Sequence, residues 1–248
     1  MKFIEPSFEI LSKDFTREKV LTTIECAART CYKSEDKICE GSAVKLLNNL
    51  IKRGHEAMIE HAPNLSVRVI TCRGVTHEIV RHRLFSFAQE STRYVTYGQN
   101  GEPMLFIIPC WIQDKDREIL MEHEWNWDMW NDGRVGIPNS LSITNSAFVG
   151  QLVSAEETYG LLLKEGWKPQ QAREILPNAV KTEIVITGNI REWRNFFKLR
   201  TDSAAHPQMR EIMIPLLLKL NEEIPELWED IVVSNNLKEQ IAIANLAI

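Results

Sequence analysis

The sequence predicts a single domain of the α+β class. Helical and strand periods both recur along the chain, but without the regular βαβ rhythm that builds a parallel sheet. The length, 248 residues, lies between one and two domains at about 150 residues each. Hydrophobic residues make up 44% and charged residues 25%, ordinary values for a globular chain. That composition excludes a disordered, collagen-like or coiled-coil chain, and there is no internal repeat or low-complexity tract.

The elements follow in order. Thr16 caps a helix whose apolar stripe is Val20, Ile24, Ala27, Ala28 and Cys31, at helical spacing. Ser42 opens a second helix with Ala43, Leu46, Leu47, Leu50 and Ile51 on one side. Lys52 and Arg53 in its last turn, then Gly54, form its stop signal. Ser66–Cys72 alternates and is rich in Val and Ile, as a strand requires. Gly74 turns the chain and Val75–Val80 begins a short helix. Leu84–Gln99 holds neither period and is expected to be a structured loop, whereas Met104–Ile108 reads as a strand. Between Gln113 and Thr144, Trp125, Trp127 and Trp130 stand among acids, with a turn at Asn131-Asp132-Gly133. This stretch is expected to be an inserted lid or subdomain. Leu152, Ala155, Tyr159, Leu162 and Leu163 mark a helix closed by Gly166. Pro169 starts another at the first-turn position that tolerates proline, and Pro177 ends it. Thr182–Thr187 is a β-branched strand. Arg191–Leu199 and Pro207–Glu223 are helical, the latter kinked at Pro215, whose ring clashes with the preceding turn. The domain is expected to span residues 1–230, with 231–248 a tail of no assignable role.

Net charge is −5, from 29 Lys+Arg against 34 Asp+Glu. A general nucleic-acid binder is usually basic, so no nucleic-acid partner is expected. Apolar runs such as Ile212–Leu218 fall far short of the roughly 20 residues that span a bilayer, and no membrane partner is expected. The start carries Lys2, Glu5 and Glu9 without an apolar signal region. Cys26, Cys31, Cys39, Cys72 and Cys110 are odd in number and lack paired spacing. They read as reduced thiols of a cytoplasmic protein.

The densest chemical signal runs from Glu78 to Tyr94. Arg81, His82 and Arg83 are consecutive and Arg93 follows. A planar guanidinium bonds two phosphate oxygens at once. Ser91 and neighbouring backbone N–H groups could complete an anion cradle, and Phe85, Phe87 and Tyr94 suggest partial burial. The bland alternative is a solvated basic face paired with Glu78 and Glu90.

Arg81-His82-Arg83, seven residues, then Ser91 resembles the signature of the flavin-dependent thymidylate synthases. Ala27-Ala28-Arg29-Thr30-Cys31-Tyr32, Gly54-His55-Glu56-Ala57-Met58-Ile59-Glu60-His61, Arg173-Glu174-Ile175-Leu176-Pro177, Gly188-Asn189-Ile190-Arg191 and Leu199-Arg200-Thr201-Asp202 resemble further blocks of that family, in its order. The resemblance covers most of residues 1–224, apart from the tryptophan-rich insertion.

What the resemblance implies is a central antiparallel sheet flanked by long helices, in a homotetramer whose sites draw on several subunits. It implies synthesis of dTMP from dUMP, with 5,10-methylenetetrahydrofolate as methylene donor and NADPH as reductant through FAD. Glu78, Arg81, Gln89, Glu90, Ser91, Thr92, Arg93, Arg173 and Arg200 match dUMP-binding positions, the phosphate falling mainly to Ser91, Arg93 and Arg173. Ala57, Arg81, His82, Arg83, Gln89, Asn189, Arg191, Asn195 and His206 match flavin positions. Ala57 stands where many members have Ser or Thr, so a hydroxyl is absent there. His55 matches a residue of the flavin and folate face. Arg200 matches the arginine that polarises uracil. Hydride addition at C6 pushes negative charge into the ring, and a fixed cation near N3 and O2 stabilises it as it develops. Arginine is no conventional base, since its pKa exceeds ~12, but it favours an ionised N3 electrostatically.

Three rivals are weaker. His55 and His61 are six residues apart, roughly 240° on an α-helix, so they form no zinc pair, and no metal is expected. Cys110, after Pro109, could be a nucleophile that adds to uracil C6, but neither a cation nor a helix N-terminus is evident beside it to lower its pKa. The Arg81–Tyr94 segment could instead bind RNA, its aromatics stacking on bases.

Overall fold

The computed structural model describes residues 1–98, 102–128 and 141–237. Four strands form one sheet: β2 (Ser7–Ile10), β3 (Leu65–Cys72), β6 (Lys181–Gly188) and β4 (Ser86–Gln89), in the order β2-β3-β6-β4. The register shows that it is antiparallel. Ser66 pairs with Thr187 through their hydroxyls, while Arg73 donates its N–H to the Val180 carbonyl, so residue numbers rise on one strand as they fall on the other. Residues of β3 and β6 are buried alternately, as period-2 side chains require. Strands β3 and β6 fall where the sequence predicts them. Strand β4 lies inside Leu84–Gln99, expected to be loop. It is an edge strand of four residues, half of them exposed, so it carries no apolar period to read.

The chain packs into two compact units. The first comprises Met1–Ser7, Ile70–Ile79 and Ala88–Ile184; the second comprises Phe8–Val69, Val80–Phe87 and Val185–Ile248.

In the first unit, β1 (Lys2–Ile4) pairs in parallel with β5 (Leu105–Ile107). Helix α3 (Arg73–Ile79) starts directly after β3 and contains Gly74 rather than turning at it. Helices α4 (Asp114–Glu122) and α5 (Ile143–Lys164) follow, the latter capped by the Ser142 hydroxyl, which accepts from the Asn145 N–H. Gly166 then turns the chain at φ +93°, a left-handed conformation that glycine adopts without strain. Helix α6 is short (Pro169–Ala172), and a 3₁₀ turn, Arg173–Ile175, replaces the rest of the helix expected up to Pro177. Phe3, Phe106, Leu120, Trp125, Val149, Leu152 and Tyr159 form the core. Within the expected insertion, Trp125 is therefore buried and Trp127 is half exposed. Trp130 and Asn131-Asp132-Gly133 lie outside the described residues.

The second unit holds α1 (Arg17–Thr30), α2 (Ser42–Lys52), a 3₁₀ helix at Glu56–His61, α7 (Ile190–Arg200), α8 (Pro207–Glu223) and α9 (Pro225–Ser234). Thr16 caps α1 by accepting from the Lys19 N–H. Helix α2 begins at Ser42, with Gly41 as its cap. Helix α8 runs unbroken through Pro215. The expected end of the domain at 230 falls inside α9, whose Leu227, Trp228, Ile231 and Val232 are all buried; residues 238–248 lie outside the described residues. Arg194 is fully buried and bound to Asp230 and Glu56, the partners a buried charge needs. Among the described residues, no helix is long and apolar enough to cross a membrane.

Candidate functional site

In the first unit, α3, the segment after β4 and the Arg173 turn surround a cavity of about 340 Å³. It is lined by Arg73, His77, Thr92, Arg173, Glu174, Leu176 and Asn178. Arg173 Nη1 donates to the Thr92 hydroxyl at 3.3 Å, and Thr92 is buried. Ser91 organises the turn: its hydroxyl accepts from the Arg93 N–H at 3.3 Å, and its carbonyl accepts from Tyr94 and Val95. Gln89 Nε2 donates to Thr76 at 2.9 Å and Thr182 at 3.2 Å, which fixes the amide. Glu90 accepts from Lys181 Nζ at 2.9 Å, and Glu183 takes the same ammonium at 2.6 Å. Burial disfavours the Lys181 charge, but the two carboxylates outweigh it and raise its pKa. Glu90 is thus held by a lysine. Glu78 is half-buried on α3, and Arg93 lies over the Tyr94 ring at 5.4 Å.

Arg73 is a site residue that the sequence reading misses. It shares a helix face with His77, four residues on, and both line the cavity. Its Nη1 is buried without a hydrogen-bond partner among the described residues, a state that native proteins rarely leave unmet. A helix read from Val75 leaves Arg73 outside it; the Arg-x-x-x-His spacing is the available signal.

In the second unit, α7 carries the next group. Asn189 caps it, its Oδ1 accepting from the Glu192 N–H at 2.9 Å. At the other end, Arg200 Nε donates to His82 Nε2 at 3.0 Å. His82 is buried, with its ring 4.7 Å from that of Phe196. Burial, then the Arg200 charge, lowers the His82 pKa to about 4, so the imidazole is neutral at pH 7. Its Nδ1 lies 3.6 Å from Glu192 Oε1. Burial pushes the Glu192 carboxyl up, opposed by a hydrogen bond from the Asn195 side chain. At neutral pH the His82–Glu192 approach is therefore not an ion pair. Phe85 packs edge-on against Trp193 and Phe196, which removes it as a stacking platform for bases.

The remaining flavin positions of this unit have varied local settings. Arg81 and Arg83 are exposed. Arg191 pairs with Glu60 at 2.7 Å on the surface. His206 caps α8, its Nδ1 accepting from the Gln208 N–H at 3.3 Å. His55 and Ala57 do meet, in a largely apolar cavity of about 590 Å³ with Ala28, Leu46, Leu50 and Met58. Arg29 in its wall is held by Glu25 at 3.0 Å. A mostly apolar pocket with a few polar groups suits a flat aromatic ligand; Ala57 leaves room there and offers no hydroxyl.

Glu56–His61 is 3₁₀ rather than α-helical, and His55 precedes it as its cap, so the separation of roughly 240° expected on an α-helix does not describe this pair. The described residues contain no group of three or more His, Cys, Asp or Glu placed to hold a metal. Cys110 is half-buried in the turn after β5, where its carbonyl accepts from the Gln113 side chain.

Three comparisons bear on this geometry. A family model described as thymidylate synthase complementing protein matches residues 15–226. The flavin-dependent thymidylate synthase of Corynebacterium glutamicum is 32% identical over 216 residues, covering 84% of this chain and 78% of that protein. The enzyme of the same name from Geobacter sulfurreducens is 27% identical over 217 residues, covering 84% and 80%. Among solved structures, the UMP/dUMP methylase PolB of Streptomyces cacaoi, bound with 5-Br UMP, superposes with a TM-score of 0.67. At 17% identity, with 96% of this chain and 98% of that one covered, it establishes the shared fold. With the motifs in order and the family model spanning most of its length, this chain belongs to the flavin-dependent thymidylate synthases, enzymes of the methyltransferase class.

Proposed function

We propose that this protein converts dUMP to dTMP, with FAD as cofactor and 5,10-methylenetetrahydrofolate and NADPH as co-substrates. The observation that carries the reading is the first unit's cavity, where Arg73 and Arg173 converge with Thr92. Two guanidiniums in a partly buried site hold a doubly charged phosphate by charge-assisted bonds. Ser91 and Arg93 join them on the phosphate, and Gln89, its amide fixed by Thr76 and Thr182, reads the nucleoside. Arg81 and Glu78 complete the dUMP contacts. Because Glu90 is already bound by Lys181, its role is to keep that ammonium in place rather than to meet the nucleotide.

Arg200 acts on the uracil. Its charge stabilises the anion that develops as C6 takes up hydride, and it favours an ionised N3. Anchoring by His82 fixes its direction before substrate arrives, so little reorganisation is left for the reaction. When bound, flavin supplies the reducing equivalents. His55 and Ala57 would face it in the apolar cavity, and Arg81, Arg83, Gln89, Asn189, Arg191, Asn195 and His206 would hold its remainder, with His82 acting from behind through Arg200. The family resemblance supports a homotetramer whose subunits complete one another's sites. No protein nucleophile is required, so Cys110 has no chemical role.

An anaerobic assay with dUMP, methylenetetrahydrofolate, NADPH and FAD tests the whole reading. The expected result is dTMP only when all four are present. Turnover without flavin, or none with the full set in a folded, flavin-loaded protein, refutes it.

A further inference from the structure

We propose that Glu192 is a positioning residue that acts through His82 to fix the guanidinium of Arg200. The inference rests on Arg200 being the group that faces uracil.

Proton placement carries the argument. Arg200 Nε–H donates to His82 Nε2 at 3.0 Å, so Nε2 must be the unprotonated nitrogen. The single proton of the neutral ring then sits on Nδ1, which faces Glu192 Oε1 at 3.6 Å. A carboxylate there favours the Nδ1–H tautomer. This is the way an outer partner selects the tautomer of a functional histidine. Without it only the Arg200 N–H opposes a proton on Nε2, where that proton would meet the Arg200 N–H as a second donor. The anchor would then become a repulsion.

A bland reading exists, because Glu192 stands in the first turn of α7, where an acid complements the helix dipole. An acid serving only the dipole gains nothing from burial. Glu192 is only 7% exposed, with its carboxyl among His82 and Asn195. Burying a carboxylate is costly, and the neighbouring imidazole gives that cost a purpose.

The test uses the flavin-loaded enzyme and three variants. ¹⁵N NMR of histidine-labelled protein reads the tautomer, with the His82 signals identified by their loss in His82→Gln. The wild type should show Nδ1–H. Glu192→Leu should shift His82 to Nε2–H and lower kcat about 10- to 100-fold, the scale of a small misplacement, while KM for dUMP stays within about twofold. Glu192→Gln, whose amide oxygen can still accept, should keep both the tautomer and most of kcat. If Glu192→Leu does not fold, Glu192→Asp takes its place, since the carboxylate one methylene shorter no longer reaches Nδ1. An unchanged tautomer in the Leu or Asp variant overturns the proposal, as does unchanged kcat. Equal loss in Glu192→Gln and Glu192→Leu also overturns it. If the wild type makes no dTMP, the function assigned above fails, and the tautomer measurement alone decides the role of Glu192.

Discussion

Arg200 and His82 meet through a single hydrogen bond, from Nε to Nε2 at 3.0 Å, between the last residue of α7 and a histidine buried beside it. The bond uses the side of the guanidinium, so it sets the plane in which the terminal nitrogens lie. Arg200→Ala should lower kcat at least about 10²-fold, the usual cost of one preorganised charge contact. Arg200→Lys should fall nearly as far, because an ammonium has neither Nε nor a plane to be set. Steady-state turnover at saturating dUMP checks both, and near-normal kcat in either variant would remove Arg200 from the chemistry.

His82 also makes stability depend on pH in a defined window. Its pKa is about 4 in the folded protein against 6.5 for an ordinary histidine. Between these values the unfolded chain binds the proton and the folded one does not, so acid favours unfolding. The contribution is complete above pH 6.5 and is lost as pH falls towards 4; for a shift of this size it is on the order of 2–3 kcal/mol. Urea midpoints at pH 7.5 and 4.5 should therefore separate more in the wild type than in His82→Gln. Equal separations would show that the ring is protonated in the folded state.

Gly188, the last residue of β6, has no space for a side chain. A Cβ there would lie 2.2 Å from Cδ1 of Phe85. Phe85 cannot retreat, since Trp193 and Phe196 stand 4.9 and 5.6 Å from its ring. Gly188→Ala should cost about 1–3 kcal/mol, as overpacking does. Phe85→Leu should relieve part of it, a non-additivity expected of residues in contact. Denaturant titration of the two single variants and the double variant measures the coupling; strict additivity would mean that the ring moves freely.

How much of this was legible in the sequence differs by element. Helix α1, with its Thr16 cap, and strands β3 and β6 carry full periods, and local chemistry alone places them. Strand β4 escaped because an edge strand of four residues buries too little to leave a pattern. The family motifs pointed to Arg173, Thr92, His82 and Arg200, and the structure gives each a defined local setting. Glu192 was not legible, since it depends on which way a first-turn acid turns, and Arg73 left only its spacing from His77, which means something once α3 is known to begin at Arg73. Asn189, Arg191 and His206 show the converse: their motif positions are plain in the sequence, while within the chain Asn189 and His206 cap helices and Arg191 joins a surface ion pair.

Cys110→Ala should retain most turnover. The thiol lies in a half-buried turn of the first unit, and the proposed chemistry forms no bond to sulfur. Loss of activity in a folded, flavin-loaded variant would restore the nucleophile mechanism.

Arg73 and Arg173 offer the sharpest test of the phosphate end. Both line the 340 Å³ cavity, and Arg73 has a buried nitrogen that lacks a partner among the described residues. An anion satisfies that nitrogen, whereas a purely structural arginine would already have its acceptor. Arg73→Ala and Arg173→Ala should each weaken dUMP binding about 10- to 100-fold, the equivalent of one charge-assisted hydrogen bond. Deoxyuridine, which lacks the phosphate, should bind both variants about as well as it binds the wild type. Arg68→Ala serves as the control, because Arg68 is paired with Glu9 at 3.0 Å on the surface and should change neither ligand's affinity. Calorimetric titration with the two ligands separates the outcomes. If dUMP and deoxyuridine weaken in parallel, the two arginines shape the pocket without touching phosphate, and the nucleotide's orientation in the first unit must be reversed.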